Sequence, residues 1–198
     1  KEIIMGNITN YRTLTFLDVE TTHLDPEIGE IIQIAILTED SNGNVKEWST
    51  KIKPQLKLGT YSPKALEING YNEVDWDDAP FFSDIAHLIV HKLQWGPVIA
   101  HNVNFDISFV ENCLQRYSGW KKGGRTDFNE KIFRLGYPQI DTVALSYLFL
   151  PTERQNLNAL REHFDISTEG AHEACKDVRD CRAVFWSIFS KTMDVIGS

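Results

Sequence analysis

Four acidic residues, Asp18, Glu20, Asp106 and Asp177, stand where their neighbours call for apolar side chains. Side chains alternate along a strand, so Leu14, Phe16, Asp18 and Glu20 share one face, and the two acids extend a row that must enter a core. In the predicted helix after His101, Asp106 lies one turn before Val110 and two before Cys113, on the inward side. In the last predicted helix, Ala174, Val178, Cys181, Phe185 and Ile188 step by four, three, four and three, and Asp177 falls on or beside that buried stripe. An ionised carboxylate in a dry site is costly, so it neutralises or finds a cation. Taken singly, each acid reads as a hydrogen-bonded cap or a strand-end group turned to solvent. Taken together, in three separate elements, they form a cluster. Residues 13–24 contain no Lys or Arg, nor do residues 97–115. Acids with few local basic partners suit hard divalent cations that take oxygen ligands, Mg²⁺ or Mn²⁺.

Other chemistries lack their residues. His87 and His91 are four apart on a predicted helix, but the zinc-protease pattern needs Glu after the first His, and position 88 is Leu. They read as surface or packing histidines. No GxGxxG, P-loop lysine motif, GxSxG elbow or calcium loop occurs.

The elements that must position the four acids follow from turn signals and periodicity. Tyr11–Asp18, Glu30–Thr38 and Val45–Ile52 read as strands, with Asn42-Gly43-Asn44 as a turn, giving a three-strand antiparallel meander. Ser62-Pro63 starts a short helix that Asn69-Gly70 stops. Asp78 caps a second, with Pro80 in its first turn, that runs to about Leu93. Val98–Ala100 is a brief buried strand, followed by a helix over about Phe105 to Arg116. Residues 117–137, with Gly119, Gly123, Gly124 and Gly136, read as a long surface loop. A short strand at Ile140-Asp141 precedes helices near 142–149, 156–164 and 173–189. Strands first, then strands interleaved with helices, indicate an α/β domain with a mixed sheet. The expected organisation is one domain over residues 1–198, with its core at about 11–190.

Composition bounds the rest. The chain has 198 residues, 42% apolar and 11% aromatic, which describes a packed protein rather than a disordered one. No apolar run approaches the roughly 18 residues of a membrane span, and no signal peptide opens the chain, so no membrane partner is expected. Cys113, Cys175 and Cys181 form no CxxC pattern and leave an odd count, favouring a reducing, cytoplasmic setting. The net charge of −8 argues at face value against a nucleic-acid partner. Its distribution argues differently. Residues 46–64 carry five Lys and one acid, and residues 111–135 carry six Lys or Arg and three acids. Residues 65–91 hold six acids and no Lys or Arg.

The segments around the acids resemble one family. Phe16-Leu17-Asp18-Val19-Glu20-Thr21-Thr22, His101-Asn102-Val103-Asn104-Phe105-Asp106 and His172-Glu173-Ala174-Cys175-Lys176-Asp177 are similar, in order, to the three exonuclease motifs of the DEDDh (DnaQ-like) 3′–5′ exonucleases. Ile31-Ile32-Gln33-Ile34-Ala35, Ser62-Pro63 through Asn69-Gly70, and Asp141-Thr142 match supporting segments, so the resemblance spans about residues 12–189. Its nearest-looking branches are the DNA polymerase III proofreading subunits and ribonuclease T. The resemblance implies an RNase H-like fold in which Asp18, Glu20, Asp106 and Asp177 hold two divalent ions and His172 is the general base. The sibling class has Tyr four residues before the last Asp; here that position is Glu173. Two residues depart from the usual pattern: His23 replaces a Gly after the two threonines, and Val103 replaces an Ala.

Phosphodiester hydrolysis suits this residue set. Two ions about 3.5–4 Å apart stabilise the attacking and leaving oxygens and lower the pKa of the attacking water. Asp18, the central acid of the first strand, is the natural bridge. An imidazole exchanges a proton near neutral pH. Five helical residues rotate about 500°, leaving His172 and Asp177 about 140° apart. Both can face one site only if His172 lies before the helix, on a mobile segment after Gly170 that closes over substrate. By resemblance, Thr21, Thr22 and Leu24 lie beside the terminal nucleotide and Asn102 near the scissile phosphate. Lys121, Lys122 and Arg125 are candidates to track a phosphate backbone, and Trp120 or Phe128 to stack on a base. The expected activity is 3′–5′ hydrolysis of single-stranded DNA or RNA, releasing nucleoside 5′-monophosphates. The alternatives are a catalytically silent module that binds nucleic-acid ends, a nuclease for short oligonucleotides, and a proofreading unit with a polymerase partner or a homodimer.

Overall fold

The computed structural model describes residues 13–56, 61–94, 96–122, 132–133, 135–136 and 138–196. β1 (Thr13–Thr21) is the central strand, and apolar side chains leave it in both directions. Leu14 and Phe16 pack with Ala35, Leu37, Ile99 and the inward stripe of one long helix, α6 (Ala174–Ile196). Leu17 and Val19 point the other way, into a core shared with α2 (Phe82–Leu93) and α3 (Val103–Ser118). The sheet is therefore a middle layer between helices. Phe16 and Phe185 meet edge to face, with ring centroids 5.7 Å apart, locking β1 to α6.

β2 (Ile31–Asp40) and β3 (Val45–Lys51) complete the antiparallel meander, while β4 (Val98–Ala100) and β7 (Gln139–Asp141) join parallel on the other side. The strand order is β3-β2-β1-β4-β7, the mixed sheet expected from the element pattern. α1 (Pro63–Ile68) begins at a Ser62 cap and ends at Asn69. α4 (Thr142–Phe149) follows β7 directly, and α5 (Leu157–His163) packs on α6 through Leu157, Leu160, Val184 and Ile188.

Several boundaries differ from expectation. β1 runs three residues past Asp18, because β2 continues to pair with it (Asp18 with Ala35, Glu20 with Gln33) as far as an irregularity between Glu20 and Thr21. Asp18 and Glu20 are thus held inside a paired strand. The second helix starts at Phe82, not at Asp78. The backbone at Phe81 is extended and bridges to Lys53, and Asp84 caps the helix by accepting the Phe81 N–H at 3.0 Å. α3 starts two residues early because Asn102, at φ 74°, turns the chain sharply out of β4. Asn is among the residues that tolerate this left-handed conformation. Most of the loop predicted at 117–137 lies outside the described residues; Lys121–Lys122 (β5) and Ile132–Phe133 (β6) pair in a short parallel ladder.

Candidate active site

β1 and α6 bring three of the four acids together because Asp18 and Glu20 continue the Leu14–Phe16 face that α6 covers. Carboxylate or imidazole atoms of Glu20, His172 and Asp177 all lie within 4.8 Å of one another. α3 delivers the fourth acid: Asp106 is buried at the first turn, and its Oδ1 accepts the Val19 N–H at 3.1 Å across the sheet. His172 lies before α6, at φ 68°, exposed, with its backbone N–H donating to Asp177 Oδ1 at 3.3 Å. A residue in the left-handed region two positions ahead of a helix swings its side chain off the helical path, which is how the imidazole and Asp177 face the same space.

The electrostatics are those of acids crowded without enough positive charge. Burial pushes the Asp18 carboxyl well above the usual carboxylate range, and the charges of Asp106, Glu20 and Asp177 push it further, against the pull of Arg161. Burial and then the Asp177 charge raise Glu20 from 4.5 to about 8. Burial also holds Asp106 well above its ordinary value, opposed by the hydrogen bond from Val19. Asp177 is raised by burial and drawn back by Arg161. Asp18 Oδ2 is buried and accepts no hydrogen bond among the described residues. A lone carboxylate oxygen of this kind, ringed by other acids, is the atom a divalent cation satisfies. The all-oxygen donor set, with one imidazole at its edge, therefore fits such an ion.

The predicted substrate contacts divide. Leu24 is 77% exposed beside the strand end and free to touch a ligand. Thr22 is fully buried, and its hydroxyl accepts the Glu30 N–H at 3.0 Å, which shapes the turn. Thr21 is likewise buried, and its hydroxyl donates to the His23 carbonyl at 2.7 Å. Small hydroxyls at a strand end close a tight turn at little cost, and both threonines are used that way here. His23, at the position where Gly is usual, accepts the Asp25 N–H on Nδ1 at 3.0 Å and stiffens the same turn. Asn102 is exposed and leaves its side chain uncommitted to capping, while its N–H donates to Asp141 Oδ1. Val103 enters the core. Trp120 is not a free stacking platform: it packs on the core and against the His87 ring at 5.1 Å. Lys121 lies in β5; the side chain of Lys122, and all of Arg125 and Phe128, fall outside the described residues.

One expectation needs correction. The acid cluster has a basic partner: Arg161 on α5, 1% exposed, donates to Asp177 Oδ1 at 2.5 Å. Counting charges within each motif segment could not find it, because it comes from a different helix. Arg116 likewise carries no motif signal. It donates to the carbonyls of Gly29 (2.8 Å), Pro26 (3.1 Å) and Glu27 (2.6 Å), pinning the turn that carries Leu24. A buried Glu30 takes the N–H groups of Gln55 and Leu56 and the Tyr117 hydroxyl, tying that turn to the segment after β3.

Residues 15–185 match the model of a protein family described as Exonuclease, of the RNase T type. The chain is 28% identical over 187 residues to the DNA polymerase III PolC-type protein of Thermotoga maritima, covering 93% of this chain and 12% of that one. It is 27% identical over 176 residues to the 3′–5′ exonuclease DinG of Staphylococcus haemolyticus, covering 88% of this chain and 18% of that one. The chain thus spans only a small part of either relative. The fold is shared with E. coli exonuclease I in complex with a dT13 oligonucleotide, at a TM-score of 0.69 and 20% identity over 91% of this chain and 41% of that one. With the family match running through all three acid-bearing segments and through the strand and helices that bring them together, the chain belongs to the exonuclease family.

Proposed function

We propose that residues 1–198 act as one metal-dependent 3′–5′ exonuclease domain that hydrolyses phosphodiester bonds at the 3′ end of single-stranded DNA or RNA and releases nucleoside 5′-monophosphates. The observation that carries this reading is the buried, partnerless Asp18 Oδ2 at the centre of acids supplied by β1, α3 and α6. Asp18, Glu20, Asp106 and Asp177 would hold two Mg²⁺ ions, with Mn²⁺ as a substitute. Bound there, such ions supply charge stabilisation for the attacking and leaving oxygens and a more acidic water.

The chain's own groups do the rest. The His172 imidazole, exposed and next to Glu20 and Asp177, takes the proton of the attacking water on a ring nitrogen. Asp106 is oriented by the Val19 N–H, so one of its oxygens is committed to the backbone. Leu24 offers an apolar surface to the terminal base or sugar, on a turn held rigid by Thr22, Glu30 and Arg116. Asn102 offers an amide to the phosphate, and Lys121, Lys122 and Arg125 offer charge to the strand upstream. The polymerase named in the PolC-type relative supports a reading in which the domain works beside a polymerase. Cys113, Cys175 and Cys181 are free thiols, which suits work inside the cell. Among the described residues, no helix is long and apolar enough to cross a membrane.

The test uses DNA and RNA single strands labelled at either end, with Mg²⁺, Mn²⁺ or chelator, beside Asp18→Ala. Mononucleotide release from the 3′ end, lost on chelation and in the variant, is expected. Activity that survives both would refute the metal mechanism, and end binding without turnover would replace the enzyme with a binding module.

A further inference from the structure

Arg161 has no place in a mechanism built from four acids and a histidine, yet it is one of the largest fully buried side chains in the protein. Its guanidinium spans two acids one turn apart on α6. Nη2 donates to Asp177 Oδ1 at 2.5 Å, and Nε donates to Asp180 Oδ2 at 2.6 Å. Nη1 donates to Asn158 Oδ1, one turn earlier on α5, at 2.6 Å. The same Asp180 oxygen also accepts from Lys176, whose Nζ donates in addition to the Ser167 carbonyl in the segment leading to His172. The guanidinium is thus fixed by groups on two helices.

Both contacts to Asp177 from this side converge on the same oxygen. Oδ1 receives the Arg161 Nη2 and the His172 backbone N–H. The side chain's orientation is thereby constrained through Oδ1, and neither of these two contacts uses Oδ2. Asp106 is treated in the same manner by the Val19 N–H on its Oδ1. A lysine would bring all its donors to one compact nitrogen, whereas the planar fork of arginine sends Nε, Nη1 and Nη2 to Asp180, Asn158 and Asp177 at once. If the role were only to join α5 to α6, the pair with Asp180 and the apolar contacts of Leu157 and Leu160 would serve without Asp177.

We propose that Arg161, held in place by Asp180, is a positioning residue that makes Asp177 present a single oxygen to the divalent cation and ties that carboxylate to the backbone of His172. The inference rests on the reading of Asp177 as a cation ligand. Partners that orient a metal ligand from behind commonly contribute 10–100-fold to metal affinity or activity.

The test is the double variant Arg161→Met with Asp180→Leu, which removes one positive and one negative charge and fills the space with apolar groups, an exchange buried ion pairs often tolerate. Arg161→Lys keeps the charge and loses the fork. Mn²⁺ binding is measured by calorimetry on wild type and both variants, with near-ultraviolet circular dichroism reporting the fold and kinetics on a single-stranded oligonucleotide alongside. The expected result is native dichroism, Mn²⁺ affinity lower by about 10–100-fold in the double variant and lower in Arg161→Lys, and a fall in kcat with little change in KM. Mn²⁺ bound as tightly as in wild type by a natively folded double variant would overturn the proposal. Should that variant not fold, unchanged Mn²⁺ affinity in Arg161→Lys overturns it equally, and weakened affinity supports it. A wild type that takes up no Mn²⁺ refutes the cation reading of the four acids, and this inference with it.

Discussion

Replacing Glu20 with glutamine should make the cation-free protein more stable, by an amount that grows with pH. Glu20 ordinarily ionises near 4.5 and here near 8, because burial and the Asp177 charge both disfavour its anion. The folded chain therefore keeps a proton that the unfolded chain has released at every pH between those values. Stability is lost as pH rises through the window from 4.5 to 8 and levels off above it. A pH unit well inside the window is worth about 1.4 kcal/mol and less at its edges, so wild type gives up about 3.5 kcal/mol from this one group between about pH 5 and pH 8. A chain of 198 residues unfolds with an entropy near 0.42 kcal/mol per degree, about 2.1 cal/mol per degree for each residue, which converts that loss to about 8 °C in Tm. Glutamine has no such proton, and it also removes the Glu20 charge that helps to raise Asp18 and Asp106, which adds to the difference in the same direction. Melting curves in chelator across this range should show the Tm difference between Glu20→Gln and wild type widening by about 8 °C. Saturating Mn²⁺ should act in the opposite sense. At about 100 times its Kd it adds roughly 2.7 kcal/mol, or about 6 °C, to wild type and less to the variant that has lost a ligand. A Tm difference that stays constant with pH in chelator would refute the claim that Glu20 sits in a desolvated, self-repelling cluster.

Two further outcomes test the parts around that cluster. His172→Ala should lower kcat by about 10²–10⁴-fold, the usual worth of a positioned general base, while Mn²⁺ affinity measured by calorimetry changes by less than about threefold; a larger loss of affinity would make the imidazole a ligand. Arg116→Met strips the donor from three carbonyls in the Leu24 turn, which should cost about 1–3 kcal/mol of stability and raise KM for a single strand while leaving kcat near wild type; an unchanged KM would separate that turn from substrate binding.

The sequence by itself determined the pieces that depend on local periodicity. Leu14 and Phe16 declare the buried face of β1, so Asp18 and Glu20 had to continue it. The steps from Ala174 to Ile188 declare the stripe of α6, so Asp177 had to lie by it. The rotation per helical residue required His172 to precede that helix, and it does, at a positive φ. These are properties of neighbours along the chain, and neighbours are what a sequence displays.

What surrounds each acid was decided by tertiary structure alone. Arg161 reaches Asp177 only because Leu157 and Leu160 seat α5 against Val184 and Ile188, which rotates the guanidinium inward; no spacing within the third motif announces it. Thr22 has the residue type of a substrate contact, but the chain doubles back to Glu30 and consumes its hydroxyl. Trp120 follows a glycine in a basic stretch, yet the core claims its ring. Desolvation and Coulomb energy depend on distance through space. Which carboxylate keeps its proton, which oxygen is tied to the backbone and which is left for a cation are therefore set by the packing of helices on the sheet, after the order of residues has placed the acids there.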